Sequence, residues 1–201
     1  MIKLTIDGHP VEHQEKVTIL HAARELKIHI PTLCHNEYIT PYGGCRLCLV
    51  EVATDKRPDA FKLMAACCSH IKDGLIVLTD TEKIRELRKF IIELLLARSP
   101  HSEKLQEIAG QLGISRSGPQ HDPVARYLFT RAKPLSITKC ILCGLCVRVC
   151  AEITQRHAIS FIKKGMKRIV TTPFGKVSET CIGCGACAYV CPTNAITIEE
   201  A

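Results

Sequence analysis

Apolar and polar residues alternate at the start of the chain, where Thr5 separates Leu4 from Ile6 and an Asp7-Gly8 pair follows, predicting a strand over Lys3–Ile6 closed by a turn. The spacing then becomes helical: Ile19, Leu20, Ala23 and Leu26 share one face of a helix predicted from Thr18 to Leu26. Runs rich in Val, Leu and Ile predict further strands at Leu47–Ala53 and Leu75–Leu78. Between helix and strand, Pro31 and the Gly43-Gly44 pair mark a loop. A second helix opens where Thr79 stands three residues before Glu82, the spacing of a capping box. Its apolar face is Ile84, Leu87, Ile91, Leu94 and Leu95, and it ends near Ser99-Pro100.

The pattern divides the chain into three parts. Residues 1–80 read as a compact mixed α and β domain. Residues 81–134 read as a helical connector: Leu105, Ile108, Ala109 and Leu112 predict one more short helix before Gly118-Pro119 and Asp122-Pro123 interrupt it. Residues 135–201 contain an internal repeat, because Cys140-Ile-Leu-Cys143-Gly-Leu-Cys146-Val-Arg-Val-Cys150 recurs as Cys181-Ile-Gly-Cys184-Gly-Ala-Cys187-Ala-Tyr-Val-Cys191. The longest apolar run, Phe90 to Ala97, is interrupted by Glu93 and falls far below the roughly twenty residues of a spanning helix, so no direct membrane insertion is expected.

Composition changes this picture mainly through cysteine, with 13 in 201 residues. The chain opens Met-Ile-Lys-Leu-Thr-Ile-Asp-Gly-His, without an apolar leader segment, which suggests a reducing cytoplasm where clustered thiols serve as metal or redox sites. The formal net charge of +7 counts every thiol as neutral. Thiolates that bind metal each carry a negative charge, so the loaded protein stands closer to neutrality. The basic balance therefore gives no support to nucleic-acid binding. Lys163, Lys164, Lys167 and Arg168 around Gly165 read as a solvated hairpin turn. With no Trp, five Phe and four Tyr, the aromatic share of the core is thin, and metal clusters would serve as staples.

The repeat resembles that of bacterial-type ferredoxins, in which three thiolates of one C-x₂-C-x₂-C loop and the fourth cysteine of the other motif hold each [4Fe–4S] cube. That resemblance implies one cube on Cys140, Cys143, Cys146 and Cys191 and a second on Cys150, Cys181, Cys184 and Cys187. Gly144 and Gly185 leave room for the backbone to approach the sulfides. Pro192 follows the last cysteine as the pattern expects, whereas Ala151 replaces it in the first copy, changing the local turn without removing a ligand. Structural zinc has no need of a third cysteine three residues after a C-x₂-C pair.

The remaining set is Cys34, Cys45, Cys48 and one of Cys67 or Cys68, four sulfurs that suit a [2Fe–2S] core. Its context, Pro-Thr-Leu-Cys34-His, Gly-Gly-Cys45-Arg-Leu-Cys48-Leu-Val-Glu-Val and Ala-Cys67-Cys68-Ser-His-Ile-Lys-Asp-Gly, resembles the β-grasp [2Fe–2S] domain of a family of redox proteins. These are the large iron–sulfur subunit of respiratory complex I, iron-only hydrogenases and the small diaphorase subunit of NAD-reducing hydrogenases. In that family the last ligand lies seven residues before the Gly of Asp-Gly, which implies Cys67 and leaves Cys68 as a spare buried thiol. The resemblance covers residues 1–98 and 136–201. The family's middle cluster, H-x₃-C-x₂-C-x₅-C, is missing: counted from His101, its cysteine positions hold Leu105, Ile108 and Ile114. Those apolar groups are expected either to close a small local core or to pack against flanking parts or a partner.

The expected fold is α+β: an N-terminal β-grasp [2Fe–2S] ferredoxin-like domain, a helical connector and a C-terminal bacterial-type dicluster ferredoxin domain. The resemblance implies an electron-transfer subunit that connects a flavoprotein or NAD(H)-binding subunit to a catalytic oxidoreductase subunit such as a hydrogenase or a formate dehydrogenase-like enzyme. A free polyferredoxin carrier is the alternative. Such a carrier is usually strongly acidic, which this chain is not. No catalytic residue is expected, since the sequence has no G-x-G-x-x-G, no P-loop and no nucleophile motif.

Overall fold

The computed structural model describes residues 1–114, 138–176 and 178–198. Gly118-Pro119 and Asp122-Pro123, expected to interrupt the connector, lie outside the described residues. The chain divides into two compact units: residues 1–33 with 41–91, and residues 34–40 with 92–201.

The first unit is a five-stranded sheet with one helix packed on it. Strands β1 (Ile2–Ile6), β2 (His9–His13), β3 (Leu49–Thr54), β4 (Arg57–Ala65) and β5 (Leu75–Leu78) lie in the order β2-β1-β5-β3-β4. β1 and β5 run parallel and the other pairs antiparallel, which is the β-grasp arrangement. Asp7 and Gly8 both take positive φ (50° and 80°), the geometry that closes a two-residue hairpin without splaying its strands. Helix α1 (Ile19–Glu25) starts at Thr18, whose hydroxyl accepts the His21 N–H at 3.2 Å. Leu4, Ile6, Val50, Val52, Leu75 and Val77 from the sheet meet Ile19, Leu20, Ala22 and Ala23 from α1 in one buried cluster.

Strands β2 and β4 are additions to the pattern expected from sequence, and both are sheet edges. Their Pro10 and Pro58, and the largely exposed Arg57–Met64, weaken the alternation that reveals a strand; prolines and charges on an edge also discourage pairing with other chains.

Two hydrogen-bonded groups secure helix α2 (Glu82–Arg98). Its cap is Thr81 rather than the expected Thr79. The Thr81 hydroxyl accepts the Ile84 N–H at 3.2 Å and donates to Glu51 at 2.8 Å, whereas Thr79 donates its N–H and hydroxyl to Asp7. Glu51 is buried on β3, where Lys83 and Thr81 hold its carboxyl below the usual carboxylate range. Arg88 is also buried, inside an otherwise apolar face, and donates to the carbonyls of Leu47 (3.2 Å), Leu49 (3.1 Å) and Thr79 (3.0 Å). A guanidinium can satisfy several such oxygens at once, although burial lowers its pKa.

In the second unit, helix α3 (Glu103–Gln111) is capped by Ser102 and buries Leu105, Ile108 and Ala109. Two of the three apolar positions counted from His101, Leu105 and Ile108, are thus buried, and Ile114 is half-buried. The cysteine repeat follows as two short helices, Leu145–Arg148 and Ala186–Tyr189, with a two-stranded hairpin, β6 (Ser160–Ile162) and β7 (Ile169–Thr171), between them. Among the described residues no helix is long and apolar enough to cross a membrane.

Arg88→Met keeps the aliphatic stem but leaves three buried carbonyls without a donor. It should destabilise the protein by on the order of 3 kcal/mol, read as a lower urea midpoint by circular dichroism, with Arg88→Lys intermediate. An unchanged midpoint in Arg88→Met would remove this role.

Candidate functional site

The first cysteine set is positioned by the sheet and by the start of α1. Two N–H groups of the α1 N-terminus bond outside the helix, Ile19 to the Ser69 carbonyl (2.8 Å) and Leu20 to the Ala66 carbonyl (3.0 Å). They pin the segment that carries Cys67 and Cys68. Ala66 in turn donates its N–H to the Cys48 carbonyl at 3.0 Å. Cys48 and Cys67 are buried with their sulfurs 3.3 Å apart, and Cys68 Sγ lies 3.5 Å from Cys67 Sγ. Cys45 is close enough to act on Cys48 electrostatically, and the loop that carries both turns through left-handed backbone at Gly43 (φ 65°) and Arg46 (φ 61°). A side chain on Gly43 would meet Cys68 Sγ at 2.7 Å. Cys34 is buried at the head of the short segment 34–40, which belongs to the second unit. There Arg148 donates to the carbonyls of Cys34 and Thr40, and Glu152 accepts the Thr40 N–H at 2.7 Å.

These thiols are electrostatically unbalanced on their own. Cys48 is lowered to about 7 by its hydrogen bond with Cys67, and the same bond, with burial, pushes Cys67 far up. Two neighbouring sulfurs in a low-dielectric site cannot both ionise without a cation between them.

The two repeat copies share a backbone pattern. Leu142 and Gly144 in the first (φ 56° and 78°) and Gly183 and Gly185 in the second (φ 67° and 71°) are left-handed at equivalent places, so each loop curls around its three cysteines before a short helix begins. Cys140, Cys143, Cys146 and Cys191 line one cavity of about 560 Å³. Burial pushes the Cys146 thiol up to about 12, with Cys143, Cys140 and Cys191 adding to the shift. Cys187 is likewise raised by burial, with Cys184 and Cys150 contributing. Cys191 therefore sits with the Cys140 loop, and Cys150 beside the Cys184 loop.

Backbone amides point at several of these sulfurs: Leu142 N–H at Cys140 (3.4 Å), Ala158 N–H at Cys150 (3.3 Å) and Ala195 N–H at Cys191 (3.2 Å). Four soft sulfur donors around a cavity, with the buried Cys146 costly to ionise without a cation and with Cys140 and Cys191 facing amide donors, fit an iron–sulfur core. Ala151 lies in a helical turn, Val149–Ile153, that prolongs the first helix, whereas the second ends at Tyr189 before Pro192.

Sequence reasoning missed the basic residues of the cavity. Lys163 and Lys167 do lie in the hairpin between β6 and β7, but they also line the cysteine cavity together with Arg98. Arg98 donates to the carbonyls of Cys140 (2.9 Å) and Arg168 (3.4 Å), and the Arg168 guanidinium stacks 3.8 Å over the Phe161 ring. The available signal was the position of this charge run, midway between two cysteine loops.

Residues 1–82 match the family described as a 2Fe-2S iron-sulfur cluster binding domain, and residues 139–195 match the 4Fe-4S dicluster domain. A subunit of NADH-quinone oxidoreductase from Rhizobium meliloti is 34% identical over 209 residues, covering 98% of this chain and 24% of the relative. NADPH-Fe(3+) oxidoreductase subunit alpha of Geobacter sulfurreducens is 34% identical with the same coverage, 98% and 24%. NADP-reducing hydrogenase subunit HndD of Solidesulfovibrio fructosivorans is 28% identical over 218 residues, 100% of this chain and 36% of the relative. The chain thus spans about a quarter to a third of the length of these curated relatives. The crystal structure of an NAD+-reducing [NiFe]-hydrogenase in the H2-reduced state shares the fold, with a TM-score of 0.75 and 24% identity over 96% of this chain and 86% of that one.

Gly185 and Gly183 share one constraint. Both are left-handed; a Cβ on Gly183 meets nothing within 4 Å, and one on Gly185 meets only Ile198 Cδ1 at 2.9 Å, the free end of an exposed side chain that can turn aside. Gly183→Ala and Gly185→Ala should therefore each cost about 1 kcal/mol, read as similar shifts of the urea midpoint; a much larger loss in Gly185→Ala would contradict this.

Proposed function

We propose that this chain, a [2Fe–2S] cluster-binding domain followed by a [4Fe–4S] dicluster domain, relays single electrons within a multisubunit oxidoreductase, between a flavin- or NAD(H)-binding subunit and a catalytic subunit. The observation that carries the reading is the cavity shared by Cys140, Cys143, Cys146 and Cys191, with cationic side chains on its wall. The relatives support it, being named as subunits of NADH-quinone oxidoreductase, NADPH-Fe(3+) oxidoreductase and NADP-reducing hydrogenase.

The ligand sets we assign are Cys34, Cys45, Cys48 and Cys67 for the [2Fe–2S] core, Cys140, Cys143, Cys146 and Cys191 for one [4Fe–4S] core, and Cys150, Cys181, Cys184 and Cys187 for the other. Cys67 is preferred to Cys68 because its buried sulfur faces Cys48 at 3.3 Å. The corresponding domains are residues 1–80 and 135–201, with 81–134 as connector. When bound, each core takes up and gives back one electron at a time. The chain's own groups set the environment. The amides of Leu142, Ala158 and Ala195 donate to sulfurs, and Arg98, Lys163 and Lys167 offset the net negative charge of a four-thiolate centre. Hydride chemistry needs a two-electron acceptor, which a flavoprotein partner supplies. The setting we infer is the cytoplasm.

Anaerobically purified protein should hold 2 + 4 + 4, roughly ten, irons per chain with equal acid-labile sulfide; zinc in their place, or eight irons, would overturn the three-core assignment. Cys191→Ala should damage the core on the Cys140 loop and spare the one on Cys181, Cys184 and Cys187, a distinction open to site-resolved electron paramagnetic resonance. Chemically reduced protein should pass electrons to an artificial acceptor yet oxidise no NADH until a flavoprotein subunit is added. NADH oxidation by the flavin-free chain would refute the relay.

A further inference from the structure

Away from the cysteines, three side chains of the first unit converge at one point. His13 ends the edge strand β2, and His21 and Glu25 lie one turn apart on α1. Glu25 Oε1 is 3.5 Å from His13 Nε2 and 3.4 Å from His21 Nε2, and all three donor atoms lie within 4.8 Å of one another. Zinc holds nitrogen and oxygen ligands at about 2.0–2.1 Å in a tetrahedron, whose edge is then about 3.4 Å. The two donor pairs already stand at that separation. The imidazole rings meet edge to face, centroids 6.4 Å apart and planes at 84°, so they converge without stacking.

The surroundings of His13 add a second observation. Its Nδ1 lies 2.8 Å from the Glu15 carbonyl oxygen and is also met by the Glu15 N–H, which donates to it at 3.0 Å when Nδ1 carries no proton. The ring is thus held by backbone in either tautomer, and in the one with Nδ1–H donating to the carbonyl its Nε2 presents a lone pair to the point shared with His21 and Glu25. A backbone carbonyl behind a ligating histidine is the usual outer partner of a metal site. The simpler reading, two surface histidine–glutamate ion pairs, uses the other tautomer, with the Glu15 N–H donating to Nδ1 and Nε2–H facing Glu25. Such exposed pairs contribute little to stability.

We propose that His13, His21 and Glu25 form a zinc site. Two imidazoles and a carboxylate suit a borderline divalent ion, and the fourth position is left to water because His21 and Glu25 are about half exposed. The ion clips the end of β2 to α1. It fastens an edge strand to the helix in a domain whose core is small, and it requires none of the cysteines.

The test uses the holoprotein with its iron–sulfur centres intact, dialysed anaerobically against zinc chloride. Wild type and the control His9→Ala should retain one zinc per chain, with X-ray absorption fine structure showing nitrogen and oxygen neighbours only. His21→Ala and Glu25→Gln should each weaken zinc binding by about tenfold or more, with iron per chain unchanged because both side chains are solvent-facing. Zinc lost on dialysis of the wild type, retention unaffected by both substitutions, or sulfur in the zinc shell would each overturn the site. A deficit of iron in the wild type would instead count against the relay, so the two proposals fail separately.

Discussion

Burying several thiols side by side is unfavourable in either protonation state: as thiolates they repel, and as thiols they lose the hydration that the interior does not replace. In this chain the consequences are visible in Cys67 and Cys146, both driven upward by burial or by neighbouring sulfurs. A multivalent cationic core resolves the conflict because it needs the sulfurs ionised and close together. Much else can be read as support for that requirement. Left-handed backbone at Leu142, Gly144, Gly183 and Gly185 curls the repeat loops, and the N–H groups of α1 hold the Cys67 segment.

Positive charge near the repeat is supplied in an economical way. Arg98 reaches the cavity from the end of α2 and also bonds the Cys140 carbonyl, so one side chain orders the loop and places charge on the cavity wall. Arg88 acts similarly in the first unit, where its guanidinium bridges the carbonyls of Leu47 and Leu49, the residues on either side of Cys48. In both places the fold uses arginine where a fork of donors is needed, and lysine where the cavity wall alone is charged.

The parts of the fold that were legible in the sequence are those with strong periodicity and a buried face: β1, β3, β5, α1, α2 and α3 all fall where apolar spacing put them. The edge strands were hidden because their prolines and charges answer to solvent rather than to the core. The cap of α2 was placed at Thr79 because both Thr79 and Thr81 offer a hydroxyl near the helix start; only the long-range contacts with Asp7 and Glu51 divide their roles. Long-range partnership is also why nothing local in the sequence sets Arg88 apart from the other charges of α2. The two C-x₂-C-x₂-C loops were legible because their spacing is local and both copies adopt the same curl before a short helix, whereas Lys163 and Lys167 become cavity residues only when the hairpin folds back on the loops. Within α3, Leu105 and Ile108 turn out to be interior residues, which accounts for the apolar character that the sequence left between a local core and a partner surface.

The repeat is symmetric in sequence but not in cover. Cys143, Cys146 and Cys150 are buried, while Cys181 and Cys184 are exposed. A duplicated motif has thus been given one sheltered face and one open face. A reagent that arrives from solvent therefore meets the thiols of Cys181 and Cys184 before those of Cys143 and Cys146, so equal motifs carry unequal chemical accessibility.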